Sequence, residues 1–298
     1  MTIHRVAATL ALAGSVLGAA LARAEGTPID QSVAAEADSE IKIENLVGRV
    51  TVTVGSDDRV HVGGMLGENA KGVVVTTDDE DVRIEVQLPR RVENISGTDL
   101  EIQVPRNATL TIETESAEVS IQGAAGKIGV ETVSGNITVE TTAGDQRVRL
   151  ESVSGAVTVR GNIGDVRAES VSGKIEIGDA GGEIEASTTS GGIQVSGEAL
   201  RYVELSSVSG SIAVDGDPAP GAELELENLS GSVGLRLSPD ANAEIRVETF
   251  TGKIESDFDG GVQNKGKETG EWLTTVVGKG GASVTISTFS GSVSLRKR

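Results

Sequence analysis

Apolar residues recur along this chain at a spacing of two, in short runs interrupted by Ser-Gly. VETVSGNITV around Ser134, LESVSGAVTV around Ser154, AESVSGKIEI around Ser172 and ASTTSGGIQV around Ser190 show the pattern most plainly. LSSVSGSIAV, LENLSGSVGL, VETFTGKIES and ISTFSGSVSL continue it, and two divergent copies centred on Val47 and Ser116 precede it. Successive copies from Ser116 to Thr251 lie 18 to 21 residues apart, whereas the last step, Thr251 to Ser290, is 39. A period of two is strand alternation, so each copy reads as strand, Ser-Gly turn, strand. Helix is excluded for the repeat region, and a fixed period of this size marks one supersecondary unit copied many times.

Aligned on the residue before the glycine, the ten copies give columns with physical meaning. The positions six and four before the turn residue and three and five after it are apolar throughout, with Ser256 the sole exception. The turn glycines Gly135, Gly155, Gly173, Gly191, Gly210, Gly231, Gly252 and Gly291 give way only once, to Ala117; a positive φ at the turn is the expectation for them. Two before the turn residue stands a file of small polar side chains, from Asn45 through Thr132, Ser152 and Ser170 to Thr288, fit to hydrogen-bond from coil to coil in a buried row.

Two all-β architectures accommodate this unit. In an antiparallel meander the residue just before the turn serine would face water, although Leu46, Val133, Val153, Val171, Val208, Leu229, Phe250 and Phe289 are apolar. In a single-stranded β-solenoid that residue sits at a corner and can turn inward, and identical positions stack at ~4.8 Å. The solenoid is preferred, with about ten coils of 18–21 residues, and the meander is the alternative.

Segments 53–109 and 257–283 interrupt the series. The first holds strand-like HVGGML, VVVTTDDEDVRIEVQL and DLEIQVP, which read as a β lobe at the N-terminal end; the second, with the lone Trp272, reads as a loop or hairpin. The closing Arg296-Lys297-Arg298 places positive charge on what would be the last open edge. Residues 1–24 carry His4 and Arg5, an apolar stretch from Val6 to Leu21 and then Ala22-Arg23-Ala24, the layout of a secretory signal peptide. Residues 25–37 read as a flexible mature N-terminus, followed by a single β-repeat domain over 38–298 with the two insertions. No segment after signal cleavage is long and apolar enough to be transmembrane.

Composition narrows the chemistry. Aromatics are 2% and Gly numbers 39, a bias toward turns and small side chains that disfavours a mixed α/β enzyme. With no Cys, disulfides, thiolate metal sites and Cys nucleophiles are excluded, and only His4 and His61 could serve His-dependent catalysis. Losing Arg5 and Arg23 with the signal takes Lys+Arg from 26 to 24 against 45 Asp+Glu, a formal charge of −21 for the exported chain. That field repels nucleic acid and favours cations or basic partners.

Candidate sites are few. Glu131, Glu151, Glu169, Glu227 and Glu248 belong to a column three before the turn residue and form an outward acidic ridge on stacked coils, with Arg149 and Arg167 in partial compensation. Asp78 to Asp81, and Asp257 and Asp259 with Gly260 and Gly261, resemble calcium loops only superficially and read as hairpin turns. His61 reads as an exposed strand residue. Trp272 and Tyr202 are the only polar-edged aromatics, and Trp272 is the one candidate ligand contact. No catalytic, cofactor-binding or metal residue is assigned.

The early ENLVGRVTV, the DLEIQVPRNATLTIETES passage and the serial VETVSGNITV copies, behind an export signal, together resemble the bacterial putative adhesin family of β-strand-repeat proteins, a family of unknown function. The likeness spans about residues 38 to 295. It implies an exported, solenoid-like protein of the periplasm, cell envelope or extracellular space, and it carries over no catalytic residues. The resulting expectation is a non-enzymatic adhesin-like or envelope interaction module, with a periplasmic envelope-stress-linked component and a glycan-active β-helix enzyme as alternatives. The expected partner is a macromolecule of the envelope or extracellular surface, such as a basic protein or glycan, and self-association stays open. No cofactor is expected.

Overall fold

Residues six, four and two before each turn point to one side of a strand and those five, three and one before it to the other, and this alternation shapes the whole molecule. The computed structural model describes residues 26–78, 81–90, 95–124, 126–141, 146–179, 181–264 and 270–298. They hold 25 strands joined in one continuous sheet, and no helix occurs among them. The strand before each turn pairs in parallel with its counterparts in neighbouring coils, as Arg147–Ser152 does with Ile128–Thr132 on one side and Asp165–Ser170 on the other. The strand after the turn does the same in a second stack, where Val157–Arg160 lies between Ile137–Glu140 and Ile175–Gly178. The architecture is the expected solenoid, and parallel register excludes the meander.

Register follows the aligned columns without a slip. Ile128, Val148, Val166 and Ile184 stack on one another, as do Ile137, Val157, Ile175 and Ile193. All four apolar columns are buried, the exception again being Ser256. Each buried aliphatic side chain contributes about 1.5–3 kcal/mol relative to exposure, which lets a chain without disulfides hold a long core.

Coil order in space differs from coil order in sequence at both ends. Asp81–Gln87 and Thr98–Val104, inside the first insertion, form a coil of their own stacked on Glu40–Asn45 and Gly48–Val54, and the coil of Thr109–Thr114 and Glu118–Gln122 lies on the other side. At the far end Ala282–Thr288 and Ser292–Lys297 are threaded between the coil ending at Ser232–Leu237 and the coil of Ala243–Thr249 and Ile254–Ser256. Hence the solenoid has eleven coils rather than ten, and the 39-residue step is the detour needed to return one level down the stack.

Three expectations are corrected here. Within the segment expected to be flexible, Thr27–Ala34 is a strand that pairs antiparallel with Arg59–Leu66, which in turn covers Thr98–Val104. The Arg296-Lys297-Arg298 cluster is not on an open edge. Arg296 pairs with Glu255 and, at 3.1 Å, with Asp257, while Arg298 reaches Asp215 at 2.7 Å; antiparallel Glu271–Val277 covers Ala243–Thr249 instead. Of the repeat glycines only Gly48 (φ 119°) and Gly231 (φ 148°) have positive φ. The others are required by proximity: a Cβ on Gly155 would lie 1.8 Å from the carbonyl oxygen of Gly135, one on Gly173 1.9 Å from that of Gly155, and one on Gly252 1.7 Å from that of Gly291.

The second insertion does form antiparallel pairing, between Gln263–Asn264 and Glu271–Val277. Asp78 and Asp81 face each other at the end of the hairpin of Gly72–Asp78 and Asp81–Gln87, while Asp79 and Glu80 lie outside the described residues, as do residues 1–24. His61 is partly exposed, 3.1 Å from Asp57.

Replacing Gly173 by Ala is expected to destabilise the protein by about 1–3 kcal/mol in urea unfolding, through backbone overpacking. Gly129→Ala, where the added methyl meets nothing closer than 3.7 Å, is expected to be neutral or stabilising by up to about 1 kcal/mol. A second prediction concerns Asp257, whose hydrogen bond from Arg296 holds its carboxyl below the usual carboxylate range. A depressed folded-state value adds stability at neutral pH that disappears as pH falls through it. The melting-temperature gap between wild type and Asp257→Asn should therefore be present at pH 7 and close at the acid end of a pH series.

Candidate interaction surface

The turn that closes each coil is built by three side chains with different jobs. The threonine or serine two before the turn residue is buried and accepts a hydrogen bond from the glycine N–H, as Thr132 does from Gly135 (3.0 Å), Ser170 from Gly173 (2.8 Å) and Ser207 from Gly210 (2.8 Å). These bonds lie within one coil, which corrects the expected coil-to-coil pattern for most of the file. Asn45, donating to the Thr98 carbonyl (2.9 Å), Asn228, to that of Gly210 (2.7 Å), and Thr249, to that of Gly291 (3.2 Å), do cross between coils. The turn serine supplies the regular link, since Ser154, Ser172 and Ser190 donate to the carbonyls of Val133, Val153 and Val171 at 3.2 to 3.3 Å.

The residue between these two faces outward. Leu46, Val133, Val153, Val171, Val208, Leu229, Phe250 and Phe289 are 39–53% exposed, which overturns the expectation that the corner turns them inward. The cause is alternation itself. The polar residue before each of them is the inward one, and the carbonyls of all but Phe250 are committed along the stack to the turn serine or threonine of the next coil. The result is a file of apolar side chains on the outside of the corner, interrupted at Glu115 and Thr189 and ending in the stacked rings of Phe289 and Phe250, whose centroids are 4.8 Å apart.

Beside it runs the acidic file. Register places Glu85, Glu44, Glu113, Glu131, Glu151 and Glu169 in six consecutive coils. Ser187 and Ser206 then precede Glu227, and Ser287 separates Glu227 from Glu248, which faces Trp272 on the covering strand. Thus Glu131, Glu151 and Glu169 are brought together, while Glu227 and Glu248 stand apart from them and from each other.

Like charges one coil step apart repel, and cations on the same face relieve this. Lys42 bonds Glu113 (2.6 Å) and Glu44 (3.3 Å), Arg83 also reaches Glu44 (2.7 Å), Arg149 pairs with Glu151 (2.6 Å), and Arg167 with Glu169 (2.8 Å) and Glu185 (2.6 Å). The hydrogen bond to Glu113 raises the Lys42 ammonium above its ordinary value, and that to Glu169 raises the Arg167 guanidinium. Glu131 and Glu227 carry no ion pair among the described residues. Nor do three or more His, Asp or Glu side chains gather there to hold a metal ion.

Between the two files lies a trough along the solenoid axis. One stretch of about 700 Å³ runs from Glu113 to Val208, and a second of about 490 Å³ runs from Thr188 to Phe289; they share Thr188, Ser206 and Val208. Trp272, 37% exposed, lines a smaller recess with Glu248 just past the aromatic end. The trough escaped sequence reasoning because the outward apolar column was assigned to the core. Its signal was present in the parity of the corner position, odd where the inward columns are even.

Among the described residues no helix is long and apolar enough to cross a membrane. The match to the Toastrack DUF4097 family model spans residues 38–296, and the chain belongs to that family. No curated protein matches the chain. Solved structures similar to it include a putative adhesin from Bacteroides fragilis (11% identity, 91% of this chain and 97% of that one, TM-score 0.42). A putative adhesin from Parabacteroides merdae is 10% identical over 92% of this chain and 97% of its own, with a TM-score of 0.45. A putative lipid binding protein from Parabacteroides distasonis is 11% identical over 92% and 98%, also with a TM-score of 0.45. At these scores the likeness transfers no role to this chain.

Tyr202, the chain's single tyrosine, donates to Glu204 (2.8 Å), and this bond, with the charge of Glu204, raises its phenol to about 12. Ultraviolet titration should give a midpoint near 12 and a lower one in Glu204→Ala, which removes both the hydrogen-bond acceptor and its charge. The associated stability is present below the ordinary value and fades as pH rises through the folded one.

Proposed function

We propose that the protein is an exported, non-enzymatic β-solenoid acting as an adhesin-like or envelope interaction module. The observation that carries this is the strip itself, two adjoining stretches of trough between a mostly apolar file and a partly acidic file, extending over the corners of successive coils. Contiguous exposed apolar surface on a soluble fold marks contact with another molecule. Repeat proteins use such lengthwise surfaces for macromolecules. A surface made of the same residue types coil after coil suits contact along a length, whereas catalysis needs a local departure that shapes one pocket. The signal-like segment 1–24 supports export to the periplasm, envelope or medium. The net charge of −19 favours basic partners over nucleic acid.

Fractionation of the native host with an antibody to the folded chain tests the location. Protein at the cell surface or in the medium is the expected result for an adhesin-like role. Recovery solely as soluble periplasmic protein would sink adhesion and leave an envelope component, and release of oligosaccharides from envelope glycans would replace the non-enzymatic assignment with a glycan-active one.

A further inference from the structure

The trough has a feature that limits what can lie in it. It runs across the strands, and the corner backbone beneath it is committed along the stack: Val133 O accepts from Ser154 N (2.9 Å), Val153 O from Ser172 N (2.9 Å) and Val171 O from Ser190 N (2.9 Å). No sheet edge is offered there. An extended peptide laid in the trough would leave its own N–H and C=O groups unpaired against the apolar wall, at a cost of about 1–3 kcal/mol for each one buried. A helix carries its backbone bonds internally and presents only side chains.

Spacing and charge agree with a helix. The two walls repeat every coil, at ~4.8 Å. Same-face side chains on a strand recur every ~6.6–6.8 Å, and on a helix about every turn, 5.4 Å. The helical mismatch of about 0.6 Å per coil accumulates to about 4 Å over the seven steps from the coil of Glu131 to that of Phe250, against about 13 Å for a strand. The acidic wall is dense over Glu113, Glu131, Glu151 and Glu169, of which Glu131 carries no ion pair among the described residues, whereas at the far end Glu227 and Glu248 are separated by Ser287 and face Leu229, Phe289 and Phe250.

We infer that the strip is the docking surface for a basic amphipathic helix of another protein, its apolar stripe on the valine and phenylalanine file and its Lys and Arg side chains on the glutamate file. The inference rests on the interaction-module reading and names its partner chemistry. From the coil of Glu131 to that of Phe250 the strip spans eight coils, about 34 Å at the coil spacing, the length of a helix of about 22 residues. The basic residues belong at the end over Glu131 to Glu169, and aliphatic or aromatic ones at the end over the Phe289–Phe250 stack.

The test uses a fluorescein-labelled 22-residue Lys/Leu peptide with helical amphipathic spacing and a scrambled peptide of equal composition, titrated with the protein by anisotropy. Expected are saturable binding, at least tenfold weaker binding in E131Q/E151Q/E169Q and in V153N/V171N, and at least tenfold weaker binding of the scrambled peptide. The control E118Q/E140Q/E176Q, which removes equal charge from the other stack, should change affinity less than twofold. All substituted positions are on the outside, and an unchanged strand signal in circular dichroism confirms folding of each variant. Absence of binding, or an equal loss in the control triple, overturns the inference. If the peptide fails while V153N/V171N abolishes self-association in sedimentation or binding to phosphatidylcholine vesicles, the helix is wrong and the interaction module stands. If no binding of any kind depends on the strip, both fall.

Discussion

At the glycine corners of this solenoid the carbonyl oxygen of one coil occupies the space where the next coil's glycine would carry a Cβ. That contact sets the vertical fit of the stack. With the glycine seated, the serine before it reaches the carbonyl of the coil behind, and the threonine or serine three before the glycine holds its N–H. Each Ser-Gly therefore fixes register as well as direction. A slip of one residue would turn every apolar column into solvent, so the corner and the core enforce the same alignment.

Fixed register explains how the chain can leave the stack and return. Both ends are threaded out of order, yet each late-arriving coil fits its slot because its apolar columns match those of its neighbours. The covering strands at the two ends are antiparallel, which changes the edge presented to solvent and limits continued parallel growth onto another copy. Surface charge near the C-terminal end serves local pairing, with Arg296 held by Glu255 and Asp257.

The same register makes the surface one-dimensional. Any outward column becomes a file, so a single residue type repeated in sequence becomes a wall several coils long. The glutamates three before the turn residue and the apolar residues one before it are two odd-numbered columns of one strand, and they form the two sides of one trough. Same-face arginines neutralise part of the acidic wall without filling the trough. Its character thus shifts from charged to aromatic along the axis.

From sequence alone the strand identity, the repeat length, the inward columns and the placement of the Ser-Gly corner could be read, because all depend on a period of two and on residue size. Family membership follows from that pattern over residues 38–296. Three matters were decided only in three dimensions. The glycines answer to a neighbouring coil's carbonyl rather than to their own φ, and sequence shows no neighbour. The coil of Asp81–Gln87 and Thr98–Val104 lacks the Ser-Gly corner, so only its pairing with Glu40–Asn45 and Gly48–Val54 reveals it. The corner valines and phenylalanines are apolar yet exposed, since hydrophobicity expresses a preference for burial while backbone parity dictates direction. Where the two conflicted, the committed corner carbonyls decided, and the side chains that sequence placed in the core became the wall of the surface.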